Sequence, residues 1–363
     1  MRIHVLTPGF TTPNGCAFLM PLLLHGNALC DAGITVRLFD APGPQITDCD
    51  ALFLDSKYYS PRWIEESEAI LAEIAGFSDA LDKVVFFDIL DSASWDQARV
   101  LPHVTLYCKG QLLRDQNSYL KPLYGYRSFT DYYHRNCGVE DGDPVYSEQV
   151  GDPSLLDKLT VSWNSGLADY SWLGPYRMNM YHHLPLRPLL RFSDSFHAPS
   201  SARSKETSCR IGTRYLRNTV AYQRVKMAQL LRDRLDTVKL SRRKYLDELQ
   251  NSKLVISPFG LGEITLRDFE VFMSGALLLK PDMSDVETWP NLFEDGVTMV
   301  GHSWDLSDME EKIETILSDY DSYLEIAVEG QSRYRKYLSG SEAGVLFTEH
   351  LNGILKKCTQ FAA

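Results

Sequence analysis

Residues 252–281, SKLVISPFGLGEITLRDFEVFMSGALLLKP, constrain the fold more than any other part of the chain. Two short apolar runs, residues 254–257 and 276–280, enclose a glycine-rich loop and an amphipathic segment. Runs of this length that are bounded by Pro and Gly are typical of buried parallel strands, and the segment between them predicts a crossover helix. Gly260 and Gly262 then lie where a strand ends and a helix begins. Open α/β sheets bind their ligands at such places, and a helix N-terminus there offers free N–H groups to anions.

The same stretch carries a motif of the form G-x-G-E-x-x-x-R-x-x-E-x-x-x-x-G-x-x-x-x-x-P. It resembles the donor-domain motif of glycosyltransferases of the GT-B type, which have two Rossmann-like domains. Within that type it is most similar to the group 1, spore-maturation-type and exostosin-like branches. The residues that match are Gly260, Gly262, Glu263, Arg267, Glu270, Gly275 and Pro281. Only six residues separate Glu263 from Glu270, one fewer than in the retaining members, so the stereochemistry of transfer stays open.

The resemblance implies roles for these side chains in holding a nucleoside-diphosphate sugar. Glu270 would accept hydrogen bonds from the ribose hydroxyls, which suits a carboxylate with two acceptor oxygens. Glu263 would contact the donor sugar or, in the simpler reading, cap the helix. Arg267 would face the diphosphate or pair with Glu263 at the i, i+4 spacing. Gly260 and Gly262 would let the loop approach the donor closely.

A diphosphate also needs donors in the first loop of the second domain. The sequence RIGTRYLRNTVAYQR supplies Arg214, Arg217 and Arg224 between a predicted strand at 209–213 and a predicted helix at 220–235. Guanidinium groups suit phosphate oxygens because they bind them in a bidentate manner. Arg214 is nearest the predicted strand end and Arg217 is next, whereas Arg224 is expected to be solvated on the helix.

In the first domain, the sequence FFDILDS places Asp88 and Asp91 at the end of a predicted strand, residues 84–88. An inverting enzyme needs a group that takes the proton of the acceptor hydroxyl, and either aspartate is a candidate for this base. Helix capping is an equally good reading of both residues. A metal pair is the third, although enzymes of the resembling type usually need no metal for transfer. We therefore expect no cofactor and no metal.

The composition excludes several other classes of protein. The chain of 363 residues has a formal charge of −11 and no long basic stripe, which argues against a nucleic-acid binder. Its seven cysteines are scattered and form no C-x-x-C pair, which favours reduced thiols in the cytoplasm. The apolar run 18–30 is too short to span a bilayer. A contact at the periphery of the inner membrane is compatible with this, since many enzymes of the resembling type act on lipid-linked acceptors.

Strand-like and helical segments alternate along the chain, which predicts an α/β fold with parallel sheets. Residues 1–190 are expected to form a Rossmann-like acceptor domain with a Tyr- and Arg-rich insertion at about 110–150. Residues 191–335 are expected to form a Rossmann-like donor domain, whose first part is a serine-rich linker at 192–208. The C-terminal helix, 336–363, would pack back on the first domain as in the resembling fold. The two sheets would face each other across a cleft.

The chain is therefore interpreted as a glycosyltransferase of the hexosyltransferase kind. It would move a sugar from a nucleotide donor to a hydroxyl of a glycan, lipid or small molecule, for example in polysaccharide biosynthesis. The alternatives are a two-domain nicotinamide-dependent oxidoreductase and a catalytically inactive sugar- or nucleotide-binding protein of the same fold. The first loop, PGFTTPNG, lacks the G-x-G-x-x-G fingerprint of the oxidoreductases. The donor base, the acceptor and the oligomeric state are not encoded in any pattern that we recognise.

Overall fold

The structure is a computed structural model that describes residues 1–94 and 97–361. The last two residues of the predicted C-terminal helix, 362 and 363, lie outside the described residues. The described strands, in chain order, are β1 (Arg2–Leu6), β2 (Thr35–Phe39), β3 (Ala51–Asp55), β4 (Val84–Asp88), β5 (Leu106–Lys109), β6 (Gln111–Leu113), β7 (Leu159–Val161), β8 (Lys205–Ser208), β9 (Ser252–Ile256), β10 (Leu277–Pro281), β11 (Val286–Thr288) and β12 (Val300–His302).

The described α-helices are, in the same order, α1 (Pro13–Leu24), α2 (Gly26–Asp31), α3 (Ser56–Tyr59), α4 (Trp63–Ala80), α5 (Ser128–Cys137), α6 (Gly174–His183), α7 (Asn218–Leu231), α8 (Arg242–Asn251), α9 (Leu266–Ser274), α10 (Met309–Ser318), α11 (Tyr320–Leu338) and α12 (Ala343–Phe361).

The first sheet has six parallel strands in the order β2-β1-β3-β4-β5-β7. All five residues of β3 and of β4 are buried, without the alternation of a strand that has one wet face. Helices therefore cover both faces of the sheet, as expected of parallel strands joined by crossovers. The alternating α/β pattern of the sequence correctly predicted this layer.

The second sheet has four parallel strands in the order β12-β10-β9-β8. The prediction of a strand at 209–213 is wrong, because the strand is β8, four residues earlier, at the end of the predicted linker. β8 is an edge strand with the sequence KETS, whose first two residues are not buried. An edge strand with so few apolar residues carries little of the hydrophobic signal on which a sequence prediction rests.

The C-terminal helices return to the first sheet, as the sequence predicted. Helix α12 packs against α2 and β5. Two side chains of α12 fasten it there: His350 Nε2 lies 2.8 Å from the Ser162 carbonyl oxygen, and Lys357 Nζ donates to the Leu159 carbonyl at 2.7 Å. The two parallel sheets are thus tied together by the end of the chain. The domain limits 1–190, 191–335 and 336–363 stay predictions.

Residues 110–150 connect the two sheets rather than cover one sheet edge. β6 forms an antiparallel pair with β11, which lies between β10 and β12 in sequence. Asp141 accepts hydrogen bonds from both the backbone N–H and the hydroxyl of Thr219, at 2.9 Å each, and Thr219 lies in the first turn of α7. The Tyr-rich insertion is therefore packed, with Tyr119, Tyr124 and Tyr133 buried.

One buried acid in the first sheet gives a test of the fold that does not depend on function. Asp55 ends β3 and accepts hydrogen bonds from Thr7 Oγ1 and Lys57 N, at 2.8 Å each. Burial raises the pKa of its carboxyl group to about 6. A raised pKa in the folded state means that Asp55 contributes most stability below pH 4, and that this contribution is lost as the pH rises through 6.

Relative to Asp55→Asn, we expect the free energy of unfolding of the parent to fall by about 2–3 kcal/mol between pH 4 and 7. Urea unfolding of both proteins across this pH range measures the difference. A difference that stays constant with pH would contradict the placement of Asp55.

Candidate functional site

The carboxyl ends of the strands in both sheets meet at one place. The loop that follows β4, residues 89–94, touches the loop that follows β9, residues 257–264. Gly262 makes the closest approach: a Cβ atom built on it would lie 1.5 Å from the Asp91 carbonyl oxygen. No residue with a side chain fits at position 262 in this arrangement. The motif glycine thus brings the two sheets into contact at the edge where α/β proteins bind ligands.

A buried polar network fixes the start of α9. Thr265 is the N-cap residue and Asp268 closes a capping box with it, since Thr265 N donates to Asp268 Oδ2 at 2.8 Å. Asp268 also pairs with Lys280 of β10 at 2.9 Å, and both side chains are fully buried. Burial lowers the pKa of Lys280. The helix N-terminus is therefore held rigidly against the sheet.

Glu263 belongs to the loop that follows β9 of the second sheet, and its side chain bonds to the loop that follows β4 of the first sheet. Its two carboxylate oxygens accept hydrogen bonds from Ser92 Oγ and Ala93 N, at 2.9 Å each, and the residue has no exposed surface. Burial raises its pKa, while the Ala93 N–H bond acts in the opposite direction. The structure thus places Glu263 as a bridge between the two units, and the predicted contact with a donor sugar stays a prediction.

Glu270 lies in the middle of α9 with a side chain that is 9% exposed. Arg242, in the first turn of α8, donates to its Oε1 at 3.0 Å. Burial raises the pKa of Glu270, and the charge of Arg242 opposes this. Glu270 also lines a cavity of about 340 Å³, which is closed on the other side by residues 170–173 and Arg191. The predicted ribose acid is therefore buried, charge-paired and next to a cavity.

Arg267 does not pair with Glu263, so the i, i+4 ion pair expected as the simpler reading is not formed. Its guanidinium donates instead to the backbone carbonyl of Arg210, in the segment that follows β8, and lies 3.5 Å from that of Ile256 at the end of β9. Arg267 thus lies behind the carboxyl edge of the second sheet, where backbone oxygens, the Tyr245 side chain and the charge of Glu270 surround its guanidinium group.

The segment between β8 and α7 brings further arginines to this edge. Arg214 is exposed and, among the residues that the structure describes, has no hydrogen-bond or ion-pair partner. Arg217 lies 3.6 Å from the Asp141 carboxylate and donates to the Asp143 carbonyl at 3.2 Å. Arg214 is thus accessible to a ligand, whereas Arg217 already contacts Asp141 and Asp143 of the insertion.

Arg224 is buried, and the expectation that it is solvated is wrong. Its guanidinium donates to the carbonyls of Phe259 at 2.6 Å and Gly212 at 3.3 Å, and it lies over the ring of Tyr215. Burial lowers its pKa to about 10, and the nearby charge of Arg267 acts in the same direction. α7 begins two residues earlier than predicted, and this face of the helix points into the glycine-rich loop.

Asp88 is buried in the first sheet, and its carboxylate accepts hydrogen bonds from three donors. Its Oδ2 accepts from Lys109 Nζ at 2.5 Å and from the Tyr107 hydroxyl at 2.8 Å, and its Oδ1 accepts from Leu90 N at 3.0 Å. The Asp88 side chain has no exposed surface. A catalytic base must be within hydrogen-bond reach of the proton that it takes. The geometry therefore disfavours Asp88 as the base and favours a structural ion pair between Asp88 and Lys109.

Asp91 is better placed for contact with a substrate. It is half-buried, and its Oδ1 accepts a hydrogen bond of 2.9 Å from the Asn14 side chain at the start of α1. Asp91, Asn14, Gln111 and Ile264 line a cavity of about 30 Å³ between the two sheets. Among the residues that the structure describes, no donor is bonded to its second carboxylate oxygen, so of the two candidate aspartates the geometry favours Asp91.

Sequence reasoning missed three basic residues at this junction: Lys109, Arg127 and Arg242. Lys109 lies in an otherwise apolar strand and Arg127 lies in the tyrosine-rich insertion, so neither belongs to a recognisable motif. Arg127 Nε donates to the Leu261 carbonyl of the glycine-rich loop at 2.5 Å. Arg242 was read only as part of a helix, although its position directly after Ser241, at a helix start facing the cleft, was an available signal.

Two possible features of the site are not found in the described residues. Within residues 1–94 and 97–361, no group of three or more His, Cys, Asp or Glu side chains is arranged to hold a metal ion. Within the same residues, no helix is both long enough and apolar enough to cross a bilayer.

Comparison with known proteins gives similarity of structure only. No protein-family model and no curated protein sequence matches the chain. Among solved structures, an alpha-glucosyltransferase in complex with UDP-glucose and DNA containing an abasic site is 11% identical, with a TM-score of 0.40 over 98% of this chain and 99% of that one. Alr3699/HepE of Anabaena, in complex with UDP-glucose, is 13% identical, with a TM-score of 0.42 over 97% and 100%.

A glycosyltransferase from Rickettsia africae is 8% identical, with a TM-score of 0.45 over 98% of both chains. At such low identities and TM-scores, these similarities establish neither the family nor the activity of the chain.

Proposed function

We propose that the protein is a glycosyltransferase that moves a sugar from a nucleoside-diphosphate sugar to a hydroxyl group. The donor would bind at the carboxyl edge of the second sheet. The acceptor, a glycan, a lipid-linked molecule or a small metabolite, would enter from the first sheet. Polysaccharide biosynthesis in the cytoplasm is the setting that this reaction suggests.

The observation that carries the proposal is a set of three arginines around the loop that follows β8, for which the described residues supply no ion pair with a carboxylate. Arg224 and Arg267 donate to backbone carbonyls, and Arg214 is exposed. The carboxylates of Glu270 and Asp268 attract Arg267 and Arg224 without forming an ion pair with them, so positive charge collects at this edge of a chain whose formal charge is −11. A diphosphate would supply the missing negative charge, and it would be attracted most strongly where water is partly excluded.

Each candidate side chain then has one task. Arg214, with Arg217 beside it, would stabilise the charge that develops on the leaving diphosphate. Glu270 would bind the ribose hydroxyls once Arg242 moves aside or shares its carboxylate, and Glu263 would fix the loop against the first sheet. Asp91 would take the acceptor proton if the reaction inverts the anomeric centre.

A thermal-shift screen with UDP, GDP, CDP, ADP and dTDP tests the donor site without knowledge of the acceptor. A ligand at 100 times its dissociation constant stabilises the folded state by about 2.7 kcal/mol, which raises the melting temperature measurably. We expect one base to give a clear shift. Stabilisation by NAD(P) and by none of the five diphosphates would instead support the oxidoreductase alternative.

Glu270→Gln is expected to weaken binding of the best nucleoside diphosphate by about 1.5–3 kcal/mol, because a neutral amide replaces a charged acceptor of two hydroxyl groups. Calorimetric titration measures the loss. Glu314→Gln is a matched control, since Glu314 is 64% exposed on α10, far along the chain from the motif. Equal affinity of Glu270→Gln and the parent for the nucleoside diphosphate would show that Glu270 does not bind the ribose.

Transfer is expected to continue in EDTA, because arginine side chains supply the positive charge that a divalent ion would otherwise bring to the diphosphate. The measurement is the rate of donor turnover before and after chelation. Loss of turnover that manganese restores would show that the reaction needs a metal, and Asp91 would then be re-examined as a ligand.

A further inference from the structure

One short surface collects several of the exposed large apolar side chains of the protein. Within residues 172–186, the exposed fractions are 47% for Trp172, 51% for Leu173, 63% for Tyr176, 52% for Leu184 and 53% for Leu186. The other exposed apolar residues are scattered along the described chain. Soluble proteins rarely expose large contiguous apolar patches, and such patches mark sites of interaction with proteins or membranes.

This surface is held firmly, so its exposure is not the result of a loose helix. Gly174 packs so closely on Asp169 that a Cβ atom would lie 2.0 Å from the Asp169 carbonyl oxygen. Met178 is buried on the inner side of α6, and Tyr181 packs edge-on against Phe10 with 4.9 Å between ring centroids. Leu173, Tyr176 and Leu184 follow the spacing of one helix face, and this face points away from the core.

The charge of the same surface is opposite to that of the whole protein. Residues 170–193 contain no Asp or Glu, although the chain has 48 acidic residues. Arg187 and Arg191 are exposed, whereas Arg177 is neutralised by its ion pair with Asp169. Exposed aromatic and aliphatic side chains next to uncompensated arginines suit the boundary between the lipid headgroups and the acyl chains.

We propose that residues 172–191 dock the protein onto a bilayer that contains anionic lipid. Trp172, Leu173, Tyr176 and the leucines insert at the headgroup level, and Arg187 and Arg191 contact the lipid phosphates. The inner face of α6 keeps its contacts with the loop that follows β1, where His182 lies next to Gly9. Docking therefore brings the carboxyl edge of the first sheet close to the membrane. The docking surface adjoins the cavity next to Glu270, because Trp172, Leu173 and Arg191 also line that cavity.

Flotation with lipid vesicles tests the docking surface. The full chain is mixed with phosphatidylcholine vesicles or with vesicles that also contain phosphatidylglycerol, and the bound fraction is measured after centrifugation. We expect binding to the anionic vesicles. Leu173→Ser combined with Tyr176→Ser should lower the partition coefficient about tenfold or more, because two half-exposed apolar side chains no longer insert.

Arg187→Glu should lower binding to the anionic vesicles by about tenfold and leave binding to phosphatidylcholine unchanged, because only the headgroup charge is affected. Val328→Ser combined with Val345→Ser is the matched control: these residues are 48% and 55% exposed on α11 and α12, and their loss should have no effect. Equal melting temperatures verify that all variants fold.

Two results would overturn the proposal. The first is a parent that does not float with anionic vesicles, or that floats equally well when Leu173 and Tyr176 are replaced. The second is a dimer in sedimentation velocity that the same double substitution dissociates, without any vesicle binding. The surface would then be a contact between two copies of the chain.

Discussion

Arg214→Ala is expected to lower the kcat for release of the nucleoside diphosphate by about 100-fold or more, the scale of removing one stabiliser of developing charge. Arg214 is exposed in the segment that joins β8 to α7. It would meet the diphosphate mainly as the bond to the sugar breaks, so turnover should suffer more than KM. Release can be followed with water as the acceptor, which avoids the need to know the natural one.

Two further variants make this expectation specific. Arg214→Lys should restore only part of the rate, because an ammonium group cannot reproduce the bidentate geometry of guanidinium. Arg232→Ala removes a 75% exposed arginine just beyond α7 and should leave the rate unchanged. If Arg214→Ala keeps the parental kcat, the diphosphate site lies elsewhere, and Arg217 and Arg267 are the next residues to replace.

Lys109→Met is expected to lower the free energy of unfolding by about 3–5 kcal/mol, because it leaves Asp88 as a buried carboxylate without its counter-ion. The side chains of Lys109 and Asp88 are 1% and 0% exposed, and the two residues are cross-strand partners in β5 and β4. Denaturant unfolding monitored by circular dichroism measures the change.

The double variant Asp88→Asn with Lys109→Met separates structure from catalysis. It should be more stable than Lys109→Met alone, because no unpaired charge remains in the core. It should also keep donor turnover within the same order of magnitude as the parent. A double variant that is stably folded but inactive would return the role of base to Asp88.

The layers of the fold were predictable because parallel strands that are covered on both faces have short apolar runs. The prediction placed a strand at residues 84–88 and a crossover helix between the apolar runs 254–257 and 276–280, and the structure has β4 at Val84–Asp88 and α9 at Leu266–Ser274. β8 was missed because an edge strand of sequence KETS has no such run.

The site was harder to predict because its geometry depends on strand order and on contacts between the two units. Asp88 was recognised at a strand end, but its pairing with Lys109 follows from the register of β4 and β5, which no local pattern encodes. Glu263 was recognised from its motif, yet its partners Ser92 and Ala93 lie about 170 residues away in the chain. Local sequence identified the candidate residues but not their partners.

The central claim is that the protein is an enzyme acting on a nucleoside-diphosphate sugar, and release of the diphosphate tests it most directly. The sugar nucleotide whose base gives the largest thermal shift is incubated with the parent protein, and free nucleoside diphosphate is measured over time. We predict release that is proportional to protein concentration, continues in EDTA and falls about 100-fold in Arg214→Ala. Tight binding of the sugar nucleotide with release no faster than in buffer would contradict the claim and identify an inert binding protein.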